Sequence, residues 1–199
     1  VCYLAAALAE LGHDVFLINT SSEAHRSHGV QVLPIREVFH PVEMSILRLD
    51  AIVILNSASN GPAVRQVVGP DLPLVLWTTH ADDQPSIQAL KNPHYRDAFD
   101  AFAFISNWQR KVYAQRFGVP MNKSLTLPLA IAPRFENCFA PGESIVGAKD
   151  QPPTIAYTST PFRGLDILVE VFPLIRAQVP DVRLKVYSVS LLLLSLGEY

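Results

Sequence analysis

The 199-residue sequence is short of several things, and each shortage closes off a class of protein. It has 2 cysteines, Cys2 and Cys138. They form no disulfide framework and lack metal-ligand spacing, which fits a reducing, cytoplasmic compartment. Lys plus Arg number 16 against 18 Asp plus Glu. With charge so balanced and no basic block, neither a nucleic-acid surface nor a strong membrane field is indicated. The apolar tail Leu191-Leu192-Leu193-Leu194 is far shorter than the roughly 20 residues a membrane span needs. No internal repeat of solenoid length is visible. The chain opens at Val1 inside a helical pattern, with neither initiator methionine nor signal segment, and is expected to be a fragment.

What is present is an apolar half, 49% of the residues, ample for the core of one large domain or two small ones. Residues 2–11 read as a helix ended by Gly12. Apolar runs at 15–18, 30–33, 51–55, 74–77, 101–105 and 124–127 read as strands. The polar stretch 19–29 reads as a solvated loop, and its His25 and His28 lack a partner at ligand spacing. Residues 42–49 read as a short helix. Ser106 reads as the cap of a helix near Asn107, with Trp108, Val112 and Gln115 or Arg116 at helical spacing and Gly118 at its end. Trp108 and Tyr113 read as core or groove packing. Strands alternating with helices predict an α/β fold with parallel sheets in doubly wound layers. The proline- and glycine-rich stretch 128–153 holds the expected domain connection.

Chemistry gathers at two strand ends. Residues 154–157 read as a buried strand, and Leu165, Leu168, Val169 and Phe172 follow at helical spacing. Between them Thr158, Ser159, Thr160, Pro161, Phe162, Arg163 and Gly164 form a strand-to-helix turn. A helix start leaves backbone N–H groups unpaired, so dipole and donors together suit a phosphate there, and the arginine adds a planar charged fork. The plainer alternative is that Thr158, Ser159 or Thr160 caps the helix, Pro161 stiffens the turn and Arg163 lies in solvent. Pro173 is expected to kink or restart that helix, and 184–187 reads as the next strand.

The second place is Thr78-Thr79-His80-Ala81-Asp82-Asp83-Gln84-Pro85, after the run 74–77. An imidazole at a strand mouth beside two carboxylates suits orientation of a hydroxyl or proton transfer. Alternatively His80 is a turn residue, and Asp82 or Asp83 caps a helix beginning near Pro85. Ser57, Ser59 and Asn60 follow the run 51–55, at an end that faces the ligand crevice in open α/β sheets; each also reads as an N-cap or turn residue.

The run YTSTPFRGLDILVEVFPLIRAQVPDVRLKVY resembles the opening of the C-terminal domain of family-4 retaining glycosyltransferases, whose GT-B architecture faces two Rossmann-like domains across a cleft. LAAALAELGHDVFLI resembles that family's first helix and second strand, WTTHADDQP its N-domain histidine segment, and Ser106-Asn107-Trp108-Gln109 its S-x-W turn. The resemblance implies an acceptor-side domain over 1–135 lacking its first strand and glycine-rich loop, a linker over 136–153, and the truncated start of a donor-binding domain over 154–199. It implies transfer of a sugar, with retention, from a nucleotide-sugar donor to a hydroxyl of a sugar, glycan or lipid-linked acceptor. Arg163, Gly164, Ser159 and Thr160 would bind the donor diphosphate, His80 would be catalytic, and Asp82, Asp83 and Asn60 would lie on the acceptor side. No metal or cofactor is implied, and peripheral membrane association of the full-length protein is. The pattern departs from the family in three places. Arg163 replaces the usual lysine, Tyr157-Thr158-Ser159 stands where a second arginine is common, and Leu129-Ala130-Ile131-Ala132 replaces an Asn-Gly-hydrophobic-Asp turn. The family's paired glutamates would fall beyond Tyr199, so this chain alone is expected to be inactive. The alternatives are a nucleotide-sugar epimerase of the same architecture and a non-catalytic binding module on a degenerate transferase scaffold.

Overall fold

The computed structural model describes residues 2–144, 149 and 152–188. The apolar tail at 191–194 and part of the expected linker lie outside them. The chain divides into two compact units, Val1–Pro133 and Arg134–Tyr199.

The first unit runs α1 (Cys2–Glu10), β1 (Phe16–Asn19), β2 (His25–Ser27), β3 (Val30–Pro34), α2 (Ile35–Val38), α3 (Pro41–Ile46), β4 (Ile52–Leu55), α4 (Gly61–Val68), β5 (Leu74–Thr78), α5 (Pro85–Gln88), α6 (Pro93–Arg96), β6 (Ala101–Phe104), α7 (Asn107–Phe117) and β7 (Ser124–Thr126). Strands β4-β5-β6-β7 make one four-stranded sheet, parallel throughout. This is the mixed α/β class that the alternating pattern predicts. The other strands form a separate three-stranded sheet in the order β1-β3-β2, with β1 parallel and β2 antiparallel to β3. Both β1 and β4 therefore end a sheet, each with one edge unpaired among the described residues.

Strand β2 corrects the expectation of a loop over 19–29. His25, Arg26 and Ser27 pair with Val32, Gln31 and Val30, folded back by His28 (φ 49°) and Gly29 (φ 79°). All three of its side chains are exposed, so no apolar alternation signalled it. The apolar run 51–55 forms a strand, yet β4 buries only Ile54 and exposes Val53, because it stands at the sheet's edge. Inner strands β5 and β6 bury Leu74, Leu76, Phe102 and Phe104 almost completely, as near-continuous apolar runs in parallel sheets do.

Behind β6 the rings of Phe99, Phe102, Phe104, Tyr113 and Phe117 form a column, successive centroids lying 5.8, 6.4, 4.8 and 5.1 Å apart. Gly61 starts α4 so close to this column that a Cβ there would meet the Phe99 ring at 2.8 Å. Helix α7 is capped as its sequence predicts. Ser106 Oγ accepts from Gln109 N at 3.1 Å, and Gly118 ends the helix at φ 67°. Its inner face, however, is Gln109, Tyr113 and Phe117, one residue on from the expected stripe. Trp108 is thereby turned out of the core and is 67% exposed, while Tyr113 is fully buried.

A guanidinium ties α4 to the sheet. Arg65 Nη1 donates to the carbonyls of Leu72 (2.7 Å), Gly69 (3.1 Å) and Pro70 (3.2 Å). Its Nη2 donates to Ala98 O at 2.8 Å and to Asp100 Oδ2 at 2.7 Å. The same Asp100 oxygen accepts from Leu74 N at 2.8 Å, at the start of β5.

The second unit contains β8 (Thr154–Tyr157), α8 (Leu165–Gln178) and β9 (Arg183–Val186), with β8 and β9 parallel. Strand β8 is half exposed rather than buried, since β9 alone pairs with it among the described residues. Helix α8 runs through Pro173 without restarting. The ring forgoes one bond to the carbonyl of Val169, on a side of the helix that solvent reaches. Among the described residues no helix is long and apolar enough to cross a membrane.

Candidate functional site

Loops following β4, β5 and β6 leave the same end of the parallel sheet, where open α/β sheets bind ligands. The loop after β5 is held by its neighbours on both sides. Asn56, in the left-handed region at φ 56°, accepts from Thr79 N at 2.7 Å through Oδ1. Thr78 Oγ1 accepts from His80 N at 3.1 Å. The carbonyl of His80 accepts twice, from Gln109 Nε2 and from the Tyr113 hydroxyl, each at 2.8 Å. Gln109 completes the clamp by accepting from Ile105 N at 2.9 Å, so this buried amide joins two loops with its polar atoms satisfied.

The imidazole itself is oriented by Ser86 on α5, whose Oγ lies 2.9 Å from Nδ1. Nε2 is the ring nitrogen left without a partner among the described residues, and the hydrogen bond at the other nitrogen sets whether it donates or accepts. Burial pushes the Tyr113 phenol above its usual range, opposed by a hydrogen bond with Thr78 and reinforced by the charge of Asp83. The phenol thus stays protonated at neutral pH and keeps donating to the His80 carbonyl. Tyr113→Phe should remove that bond and cost about 1–2 kcal/mol of stability. A urea midpoint indistinguishable from the parent would show the bond to be idle.

Beside this loop is a cavity of about 170 Å³ lined by residues that include His80, Asp82, Ser106, Trp108, Gln109 and Tyr113. The side chain of Asp82 is only 15% exposed and forms an ion pair with Arg116 of α7. That corrects its reading as a helix cap: α5 begins after Gln84 with no side-chain cap at all. Asp83 is exposed and accepts from Gln84 Nε2 at 3.2 Å, and Asn60 precedes α4 without capping it. Neither borders the cavity. The structure thus brings together His80 and Asp82 from the expected set and leaves Asp83 and Asn60 outside. The contacts that Ser86, Gln109, Tyr113 and Arg116 make in this site were not anticipated, because their partners lie 6 to 34 positions away, beyond the reach of a local pattern.

In the second unit the expected anion residues share one turn. The carbonyl of Thr160 accepts from the Tyr157 hydroxyl at 2.6 Å and from Arg163 N at 3.0 Å, closing the turn onto β8. Ser188 Oγ donates to Ser159 O at 2.7 Å, tying in the strand end. Gly164 precedes α8 at φ 91°, a conformation favouring glycine, and no side chain caps the helix. Capping by Thr158, Ser159 or Thr160 is therefore not what this turn does. The Thr160 hydroxyl oxygen is buried and makes no hydrogen bond, and the exposed guanidinium of Arg163 has neither hydrogen bond nor ion pair among the described residues. A larger open groove of about 1100 Å³ runs along Phe172, Arg176 and Lys185, and none of the expected site residues borders it. Among the described residues no cluster of His, Cys, Asp or Glu is placed to hold a metal ion.

No protein-family model matches the chain, and no curated protein matches it.

Proposed function

We propose that this chain belongs to a retaining glycosyltransferase of GT-B architecture, with the second unit binding the diphosphate of a nucleotide-sugar donor and the first serving the acceptor. The observation that carries the reading is the turn before α8. An uncapped helix start follows a left-handed glycine, a guanidinium without internal partners stands beside it, and a buried hydroxyl, Thr160, lacks a hydrogen bond. Negative charge grows on the leaving diphosphate as the glycosidic bond breaks. Fixed donors aimed at such charge are commonly the largest catalytic contribution. On this reading the Arg163 guanidinium and the N–H groups at the head of α8 are the donors, and the reading needs no metal ion.

On the acceptor side, the clamped His80 loop offers an oriented imidazole whose Nε2 is available to an acceptor hydroxyl, with the Asp82 carboxylate on the same cavity. Proton transfer at that nitrogen is the role proposed for His80. The donor is a substrate, the acceptor a sugar, glycan or lipid-linked hydroxyl, and a cytoplasmic setting fits the two free thiols.

Isothermal calorimetry of the chain with UDP, GDP and ADP tests the donor half. One of the three should bind saturably and more weakly as salt is raised; no binding by any would remove the basis of the reading. The non-catalytic module is favoured by the single basic residue at the turn, and nucleotide binding without transfer to any acceptor would select it. Conversion of donor with no acceptor present would instead select the epimerase.

A further inference from the structure

The open groove of about 1100 Å³ in the second unit takes no part in the proposed transfer, yet its lining is charged. Arg176, Arg183 and Lys185 border it together with the carboxylate of Asp181. All four are exposed, and among the described residues none of their side chains forms an ion pair or hydrogen bond. The whole chain has a net charge of -2, so this excess of positive charge belongs to the groove and not to the protein at large. The groove also meets open backbone. Strand β9 pairs with β8 alone among the described residues. Arg183 N donates to Pro153 O at 2.9 Å and Tyr187 N to Tyr157 O at 2.7 Å. Alternate residues of a parallel strand turn their backbone groups to opposite sides, so those of Leu184 and Val186 point away from β8. Consecutive β9 residues, Arg183, Leu184 and Lys185, border the groove and none of Thr154–Tyr157 does, which sets it along that outer edge.

We infer that this groove docks an extended acidic peptide, added as a strand to the outer edge of β9 with its carboxylates beside Arg183 and Lys185. Unpaired edges are templates for a further strand, and main-chain pairing of that kind is a recurring mode of peptide recognition. Side chains alternate along β9: Arg183 and Lys185 share one face and are exposed, whereas Leu184 on the other is half-buried. A strand matched to it alternates acidic with apolar residues, because opposed side chains of opposite charge attract. Phe172 and Val179 border the same groove and add apolar surface. The volume exceeds the ~300–1000 Å³ of small-molecule sites, which favours a length of chain over a free metabolite. A polyphosphate backbone would use the cations and leave the apolar lining and the β9 edge idle. The groove borders Pro152 and Pro153 before β8 instead of the turn after it, so the inference stands apart from the diphosphate reading.

Fluorescence anisotropy of a short fluorescein-labelled peptide of alternating glutamate and valine, titrated with the whole chain, tests this. Anisotropy should rise saturably, with affinity falling as salt is raised. Arg183→Gln combined with Lys185→Gln should weaken binding about 10-fold and leave the urea midpoint in place, since both side chains are exposed. Methylation of alternate peptide nitrogens removes the edge hydrogen bonds and keeps the charge; it should also weaken binding about 10-fold. Arg163→Ala should leave the peptide affinity unchanged. Equal binding of the methylated peptide would reduce the groove to a patch of charge and overturn the inference. Displacement by oligothymidylate of matched charge, a comparable loss in Arg163→Ala, or no saturable rise at all would overturn it too.

Discussion

On the proposed glycosyltransferase reading, Arg163→Ala should weaken nucleoside-diphosphate binding to this chain and lower any donor turnover by about 100-fold or more, equivalent to ~3 kcal/mol of barrier, without moving the unfolding curve. The two halves of that expectation have separate physical grounds. The side chain is exposed and has no internal partner among the described residues, so removing it costs the fold no more than about 0.5 kcal/mol. On the proposed reading its value lies in a charged fork next to a helix start that no side chain caps. Arg163→Lys should fall between parent and alanine variant, because the charge survives while bidentate geometry is lost. Calorimetry in low salt reads the binding half, and a parent-like affinity in Arg163→Ala would count decisively against an anion site at this turn.

Arg65→Met is expected to have the largest effect on stability, about 3 kcal/mol, with the urea slope unchanged. Methionine keeps much of the apolar stem, so the loss reports the guanidinium. That group holds the carbonyls of Gly69, Pro70, Leu72 and Ala98 together, and its own side chain is 20% exposed. Most of the cost arises from leaving those carbonyls without a donor; the ion pair adds little, because the Asp100 side chain is 53% exposed. A pH series distinguishes the two parts. Burial alone would raise the Asp100 pKa, but the Leu74 N–H and the Arg65 guanidinium outweigh it and hold the carboxyl below its usual range. A lowered folded pKa means its contribution is present above the unfolded value of about 3.9 and is lost as pH falls through the folded value. The gap between parent and Arg65→Met should therefore narrow below about pH 4, while the carbonyl part persists. A gap that is constant with pH would show the carboxylate to be a bystander.

Much of the element grammar was legible because parallel strands buried on both faces read as apolar runs, and because Ser106 and Gly118 bracket α7 with a cap and a left-handed stop. The failures share a cause: a preference readable from neighbours was overridden by a partner far along the chain. Strand β2 is polar on every side chain and exists through backbone pairing with β3. The stripe expected on α7 was one residue off, while Trp108, read as core or groove packing, borders the cavity rather than the core. A glutamine could occupy the buried position instead, its amide being satisfied by Ile105 and His80. Arg65 sits in the run GPAVRQVV with no local hint that its partner is Asp100, 35 residues on. At the two candidate sites the residue types were visible and their company was not. His80 and Asp82 share a cavity, whereas Asp83 and Asn60 do not border it, and no spacing rule separates these cases.

The aromatic column has a further consequence for ligand range. Tyr113 forms one wall of the small cavity and leans on Phe104 at 4.8 Å and Phe117 at 5.1 Å, with Phe102 and Phe99 stacked behind. A wall braced that deeply cannot recede to admit a bulkier guest, because close-packed interiors yield very little. A ligand taken by this cavity as proposed would therefore be retuned by changes at 79–82, the part of the loop that borders it, and substitutions in the brace should unfold the unit first.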